Sequence, residues 1–189
     1  MQRHAGKMML VGALLLQGCA GSATHRPNVP LFAADGTARF HAYLACTSHT
    51  ANCADAVKSF QAWADDRRAT LRITSPGDAL FKQGTPSPSA EQDVPYRLVI
   101  TYRPDIADSV SSTYANSAGN TYQPLVGYSA SFVVYDAQTG APLSAPRQLR
   151  DQVILRRGWG HIDGTLAAYV DDVIRHIDPA YGVETAATP

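Results

Sequence analysis

Glutamate is almost missing from this chain: the two copies are Glu91 and Glu184, so its acidity rests on aspartate. With one of them in the polar C-terminal stretch, a catalytic pair of glutamates is excluded from the folded core. The aspartate bias suits turns and helix caps better than long charged helices. No H-E-x-x-H, P-loop or G-x-G-x-x-G occurs, so no helical zinc site is expected and no cofactor is assigned. Gly127-Tyr128-Ser129-Ala130-Ser131 lacks the closing glycine of a nucleophile elbow and reads as strand. No apolar run approaches the ~20 residues a helix needs to span a bilayer. Sixteen basic residues balance sixteen acidic ones. That excludes a broad basic field, and with it nucleic acid as a partner.

What is present begins at the N-terminus. Arg3, His4 and Lys7 precede an apolar stretch from Met8 to Leu16, the layout of a signal peptide. Leu14-Leu15-Leu16-Gln17-Gly18-Cys19-Ala20 then resembles the lipobox of bacterial lipoproteins, matching at Leu16, Gly18 and Cys19. The resemblance implies removal of a signal peptide, residues 1–18, and lipidation of Cys19. The membrane is then a partner through the lipid anchor. One acyl chain binds a bilayer only reversibly, at ~0.8 kcal/mol per buried CH₂, so two or three are needed for a stable hold. Ala20, where an aspartate would imply retention in the inner membrane, points to the periplasmic face of the outer membrane of a Gram-negative bacterium. The alternative is an ordinary secretory peptide cut around Ala20–Ala23.

The mature chain of about 170 residues suits one domain with a sizeable core. Loss of Arg3 and Lys7 leaves it with a net charge of about −2. Once Cys19 is lipidated, Cys46 and Cys53 remain. An even remainder in an oxidising compartment reads as a disulfide. Closing so short a loop stabilises by roughly 2.5 kcal/mol in the chain-entropy model. Metal binding by Cys46, His49 and Cys53 is the alternative. It lacks a fourth ligand and the usual cysteine spacing.

Residues 19–35 are rich in Gly, Ser, Thr, Asn and Pro and read as a flexible tether. A single α+β domain is expected over 36–181. Phe40, Ala42 and Leu44 alternate with Arg39, His41 and Tyr43 in a first strand. Cys53, Val57, Phe60 and Ala64 make one stripe of a helix capped by Asn52 and ended by Asp65-Asp66-Arg67-Arg68. Ala69–Thr74 is a short strand with Leu71 and Ile73 inward. Ser75–Pro95 is a long loop in which Asp78–Phe81 can add a helical turn. Tyr96–Tyr102, Leu125–Tyr135 and Leu149–Arg156 are strands of an antiparallel meander, the last with Val153 and Leu155 in register. The first two can continue towards Asn116–Asn120 as a long hairpin. Leu166, Tyr169, Val170, Val173, Ile174 and Ile177 stripe a last helix, capped by Asp163 or Thr165 and stopped by Pro179. Residues 182–189 read as a disordered tail.

The order β-α-β-β-β-β-α gives a two-layer α+β sandwich: a mainly antiparallel sheet with two helices on one face. The lipobox and this order are joined by the turn Tyr135-Asp136-Ala137-Gln138-Thr139-Gly140 and a last helix closing in Ile177-Asp178-Pro179. Together they resemble the DUF4136-type periplasmic lipoproteins. That resemblance implies an address and a fold, and no reaction.

Two groups of residues invite a function. His161 and Asp163, near Trp159 and beside Arg156 and Arg157, have the residue types of a hydrolytic site. The bland alternative is a packed Trp159 and an aspartate cap. Six tyrosines, Tyr96, Tyr102, Tyr114, Tyr122, Tyr128 and Tyr135, fall in or beside the meander, where an exposed row would suit protein contact. Tyr114, Tyr122, Tyr128 and Trp159 are the candidate binding surface. No catalytic residue and no metal ligand is assigned. The expectation is a non-enzymatic outer-membrane lipoprotein that binds an envelope protein or helps an assembly. A cell-envelope hydrolase and a small-ligand carrier are the rivals.

Overall fold

A computed structural model describes residues 29–111, 121–155 and 159–182. The signal peptide, Cys19, the hairpin tip with Tyr114, Arg156, Arg157 and the tail from 183 lie outside the described residues. So do the side chains of Tyr122 and Trp159.

The elements follow the expected order: β1 (Phe40–Cys46), α1 (Ala54–Asp66), β2 (Leu71–Ile73), β3 (Tyr96–Ser111), β4 (Thr121–Asp136), β5 (Arg147–Ile154) and α2 (Ile162–Ile177). One sheet runs β2-β1-β3-β4-β5. Its two long pairings, β3 with β4 and β4 with β5, are antiparallel. Strand β1 is parallel to both its neighbours, because α1 returns the chain in the same direction between β1 and β2 and the long loop 74–95 does so between β2 and β3. The β3–β4 hairpin continues to the pair Ser111↔Thr121.

Both helices pack on one face of the sheet. The core there joins Phe40, Ala42 and Leu44 of β1, Leu98, Ile100 and Tyr102 of β3, and Val126, Tyr128, Ala130, Phe132 and Val134 of β4. Phe60, Trp63 and Ala64 of α1 and Val170, Val173 and Ile174 of α2 close it. Trp63, fully buried against Phe40, was not in the sequence stripe, although it stands one turn beyond Phe60. Its indole Nε1 donates to the buried Asp178 carboxylate at 3.2 Å, and the Arg67 Nε donates to the same oxygen at 2.6 Å. The end of α1 is thus tied to the end of α2. Pro104 lies two residues past the last β1–β3 pair, Cys46↔Tyr102, where its missing N–H costs no ladder bond.

Several local expectations shift. The tether is docked from Val29 onward: Val29, Leu31 and Phe32 pack on the core and Phe32 bridges Ala38. Residue 53, not Asn52, caps α1, and Asn52 instead accepts the Ala54 N–H at 2.9 Å. His161 caps α2 with no side-chain bond; Thr165 donates back to the His161 carbonyl at 2.9 Å. Ile73 and Val153 are exposed on β2 and β5, the two edges of the sheet. Among the described residues, no helix is long and apolar enough to cross a membrane.

Candidate functional site

The sulfurs of Cys46 and Cys53 are 2.06 Å apart and bonded to each other, so neither is a thiolate, and the alternative of a site with His49 falls. The disulfide ties the end of β1 to the start of α1.

Among the described residues the tyrosines of the row do not form an exposed surface. Tyr128 is buried between Tyr102 and Tyr169, with ring centroids 5.9 and 4.7 Å away. Its hydroxyl donates to Asp172 of α2 at 2.6 Å. Burial and that carboxylate both push its phenol above the ordinary range. Tyr128 faces the helices because the β4 residues in register with it on that face, Ala130 and Phe132, are also buried. It is a core residue rather than a binding residue. Tyr102 and Tyr135 are buried too, and Tyr96 lies half-buried under Arg39 at 5.4 Å. For Tyr114, Tyr122 and Trp159 no side chain is described.

His161 and Asp163 stand exposed at the start of α2. Among the described residues, no hydrogen bond joins their side chains. Asp163 borders a hollow of about 90 Å³ between α1, α2 and β3, lined by Asp55, Ala56, Leu166 and Val170 among others. That is well below the ~300 Å³ at which small-molecule pockets begin.

The opposite face of the sheet is divided in two. One half is covered by the long loop, which is a packed strap. Leu80 and Phe81, in the short 3₁₀ turn Ala79–Phe81, seat on Tyr43, Val99 and Tyr135. Asp78 caps that turn by accepting the Leu80 N–H at 2.9 Å. Beneath the strap Arg97 is fully buried. It donates to the carbonyls of Thr85 and Lys82 and lies 4.7 Å over the Tyr135 ring. Burial lowers its pKa. The buried Glu91 accepts from the Tyr43 hydroxyl and pairs with Arg72 at 2.6 Å. Gly140 sets the seam. At φ +68° it abuts the Thr85 backbone, and a Cβ there would fall 2.3 Å from the Thr85 carbonyl oxygen. Asp136 holds the turn by accepting from the N–H groups of Gln138 and Thr139 and from the Thr139 hydroxyl. The Tyr-Asp-x-x-Thr-Gly motif is thus where the strap locks to the sheet.

The other half of this face is open. Here β3, β4 and β5 form a trough whose two adjoining hollows, about 670 and 530 Å³, share Arg103, Ser129 and Arg150. Those three residues are in register across the strands: Arg103 opposes Ser129, and Ser129 opposes Arg150. The floor is the small series Gly127, Ser129 and Ser131; the walls carry Thr101, Arg103 and Asp105 on one side and Gln148, Arg150 and Gln152 on the other. Gly127 has β5 so close that a Cβ would meet the Asp151 carbonyl at 3.1 Å, the mark of a strand that bends to let a neighbour approach. Two strand spacings put the arginine backbones about 10 Å apart. Two side chains of this length span that gap over Ser129. Among the described residues, neither guanidinium has a carboxylate partner. Sequence reasoning missed this site, although Gly127 inside a strand and small residues on alternate positions were visible.

No family model matches the chain and no curated protein matches it, so the resemblance to DUF4136-type lipoproteins has no family match behind it. Solved structures are similar in part. One is a Helicobacter pylori protein described as a neuraminyllactose-binding hemagglutinin homolog (TM-score 0.42, 10% identity, 76% of this chain and 83% of that one). Another is the lipoprotein GNA1162 from Neisseria meningitidis (0.33, 14%, 72% and 99%). A third is the hypothetical protein CT253 from Chlamydia trachomatis (0.34, 12%, 71% and 95%). One of these bacterial proteins is thus itself a lipoprotein, and likenesses of this size assign no function.

Proposed function

We propose that this chain is a lipid-anchored envelope protein, without catalysis of its own, that binds an acidic protein segment along the open trough of its sheet. The observation that carries this is the row Arg103–Ser129–Arg150. Two cations that find no acid among the described residues flank a small-residue floor, in a hollow large enough for a ligand. A neutral or basic partner would leave both guanidinium groups unmatched. The lipobox supports the anchor, with Cys19 as the acylated residue, and Ala20 supports the outer membrane.

A photo-crosslinking residue at Ser129 in the full-length lipoprotein tests the binding. Adducts are expected in the native protein and should be lost in Arg103→Glu/Arg150→Glu. The same reagent at Lys58, on α1, serves as control. Adducts no stronger than the control, or indifferent to both arginines, overturn the reading. Metabolic labelling with a fatty acid tests the anchor: label is expected on the native chain and absent from Cys19→Ala.

A further inference from the structure

Strand β5 is an eight-residue edge, and every residue in it is exposed except the half-buried Leu149. Among the described residues no strand pairs with its outer side, where the Gln152 N–H donates to the neighbouring Asp151 carboxylate at 2.8 Å. The Leu155 N–H donates to the Pro124 carbonyl, and by antiparallel alternation the backbone groups of Gln148, Arg150 and Gln152 point outward. An edge so long is a template for another strand.

Charged residues ordinarily blunt such an edge by setting like against like. Here their order does the reverse. The helix-side residues read Arg147, Leu149, Asp151 and Val153, and the first three are antisymmetric in charge about Leu149. Four residues of strand separate Arg147 from Asp151 by roughly 13 Å, too far to pair within one chain. Among the described residues, neither has an ion-pair partner.

We infer that β5 pairs antiparallel with β5 of a second copy of this chain, centred on Leu149. A two-fold axis normal to the sheet keeps each face on its own side, so a residue can oppose only one of like facing. The pairing must therefore centre on a residue. Centred on Arg150 it sets arginine against arginine; centred on Asp151, aspartate against aspartate. Centred on Leu149 it sets Arg147 against the partner's Asp151 twice over, and Leu149 against the partner's Leu149. Gln148 then opposes the partner's Arg150, both with outward backbone groups, as the hydrogen-bonded ladder requires. Helix α2 rests over β4, where Tyr169 and Asp172 reach Val126 and Tyr128. The two α2 helices are then about three strand spacings apart, some 14 Å, and do not collide. The pairing also joins the two troughs edge to edge. It stands whether or not the trough binds an acidic segment.

The test uses the full-length chain in its membrane with Leu149→Cys and a short bis-maleimide. Leu149 lies on the axis, so a covalent dimer is expected; the chain without that cysteine is the control. Arg147→Glu or Asp151→Arg, each added to Leu149→Cys, should cut the dimer about tenfold, since each creates two like-charge pairs. The double reversal Arg147→Glu/Asp151→Arg should restore it. So should co-expression of the two single reversals, whose mixed dimer has only opposite charges facing. No dimer, single reversals without effect, or failure of the double and mixed pairs to recover would each overturn the proposal.

Discussion

Replacing Asp178 with alanine should cost about 2–4 kcal/mol of folding stability. The carboxylate is 2% exposed and accepts both the Trp63 indole N–H and the Arg67 Nε. Without it the indole N–H, which has no exposed surface, is left unsatisfied, at roughly 1–3 kcal/mol. The Arg67 guanidinium loses a charge-assisted bond. Its side chain is 19% exposed and still reaches Asp66 at 3.1 Å, so water recovers part of the loss. The total therefore falls short of the ~3–5 kcal/mol typical of breaking a fully buried pair. Asp178→Asn keeps an acceptor for the indole and removes only the charge, so it should cost about half as much. Urea unfolding of the purified protein, followed by far-UV circular dichroism, measures both; in thermal melts each kcal/mol is worth about 2–4 °C at this chain length. A loss below about 0.5 kcal/mol for alanine, or equal losses for alanine and asparagine, would refute the role given to this carboxylate.

Gly140→Ala should destabilise by about 2–4 kcal/mol, through its positive φ and the approach of Thr85, and should raise proteolysis within 75–95 first. Cys46→Ala/Cys53→Ala should cost roughly 2.5 kcal/mol in the same urea assay, from the freed loop. His161→Ala should leave stability within about 0.5 kcal/mol and leave crosslinking from Ser129 unchanged, because the side chain is exposed and the cap uses only its backbone; loss of crosslinking would revive the site at the start of α2. The N–H and hydroxyl of Thr139 hold the Asp136 carboxyl below its ordinary 3.8. A depressed folded value means stabilisation that is whole above pH 3.8 and lost as pH falls below it. The stability gap between the native protein and Asp136→Ala should accordingly close on acidification, as urea midpoints across pH 2–6 would record.

The order of elements was legible because each rests on local periodicity. Phe40, Ala42 and Leu44 alternate, Tyr169 to Ile177 repeat at helical spacing, and Pro179 stops what precedes it. The Cys46–Cys53 pairing was legible by counting. The motif Asp136-Ala137-Gln138-Thr139-Gly140 read as a turn, but its partner, Thr85, lies in a segment with no periodicity. The loop's role as a strap was therefore invisible, and with it the buried places of Arg97 and Glu91. Tyrosine propensity said that Tyr128 belongs in a strand. Which face it takes, and whether a helix covers that face, depends on the crossing of α2 over β4.

The trough illustrates the same division. Alternation alone put Gly127, Ser129 and Ser131 on the face opposite Phe132. That Arg103 and Arg150 stand in one row with Ser129 is a matter of register between strands 26 and 21 residues apart in the chain, and register is set by the hairpin as a whole. The sequence by itself determined the order of strands and helices and the cysteine pair, since each depends on neighbours along the chain. The tertiary structure alone decided which half of the outer face is roofed, which tyrosines are dry and which cations stand unpaired, since those depend on distant segments meeting across the sheet.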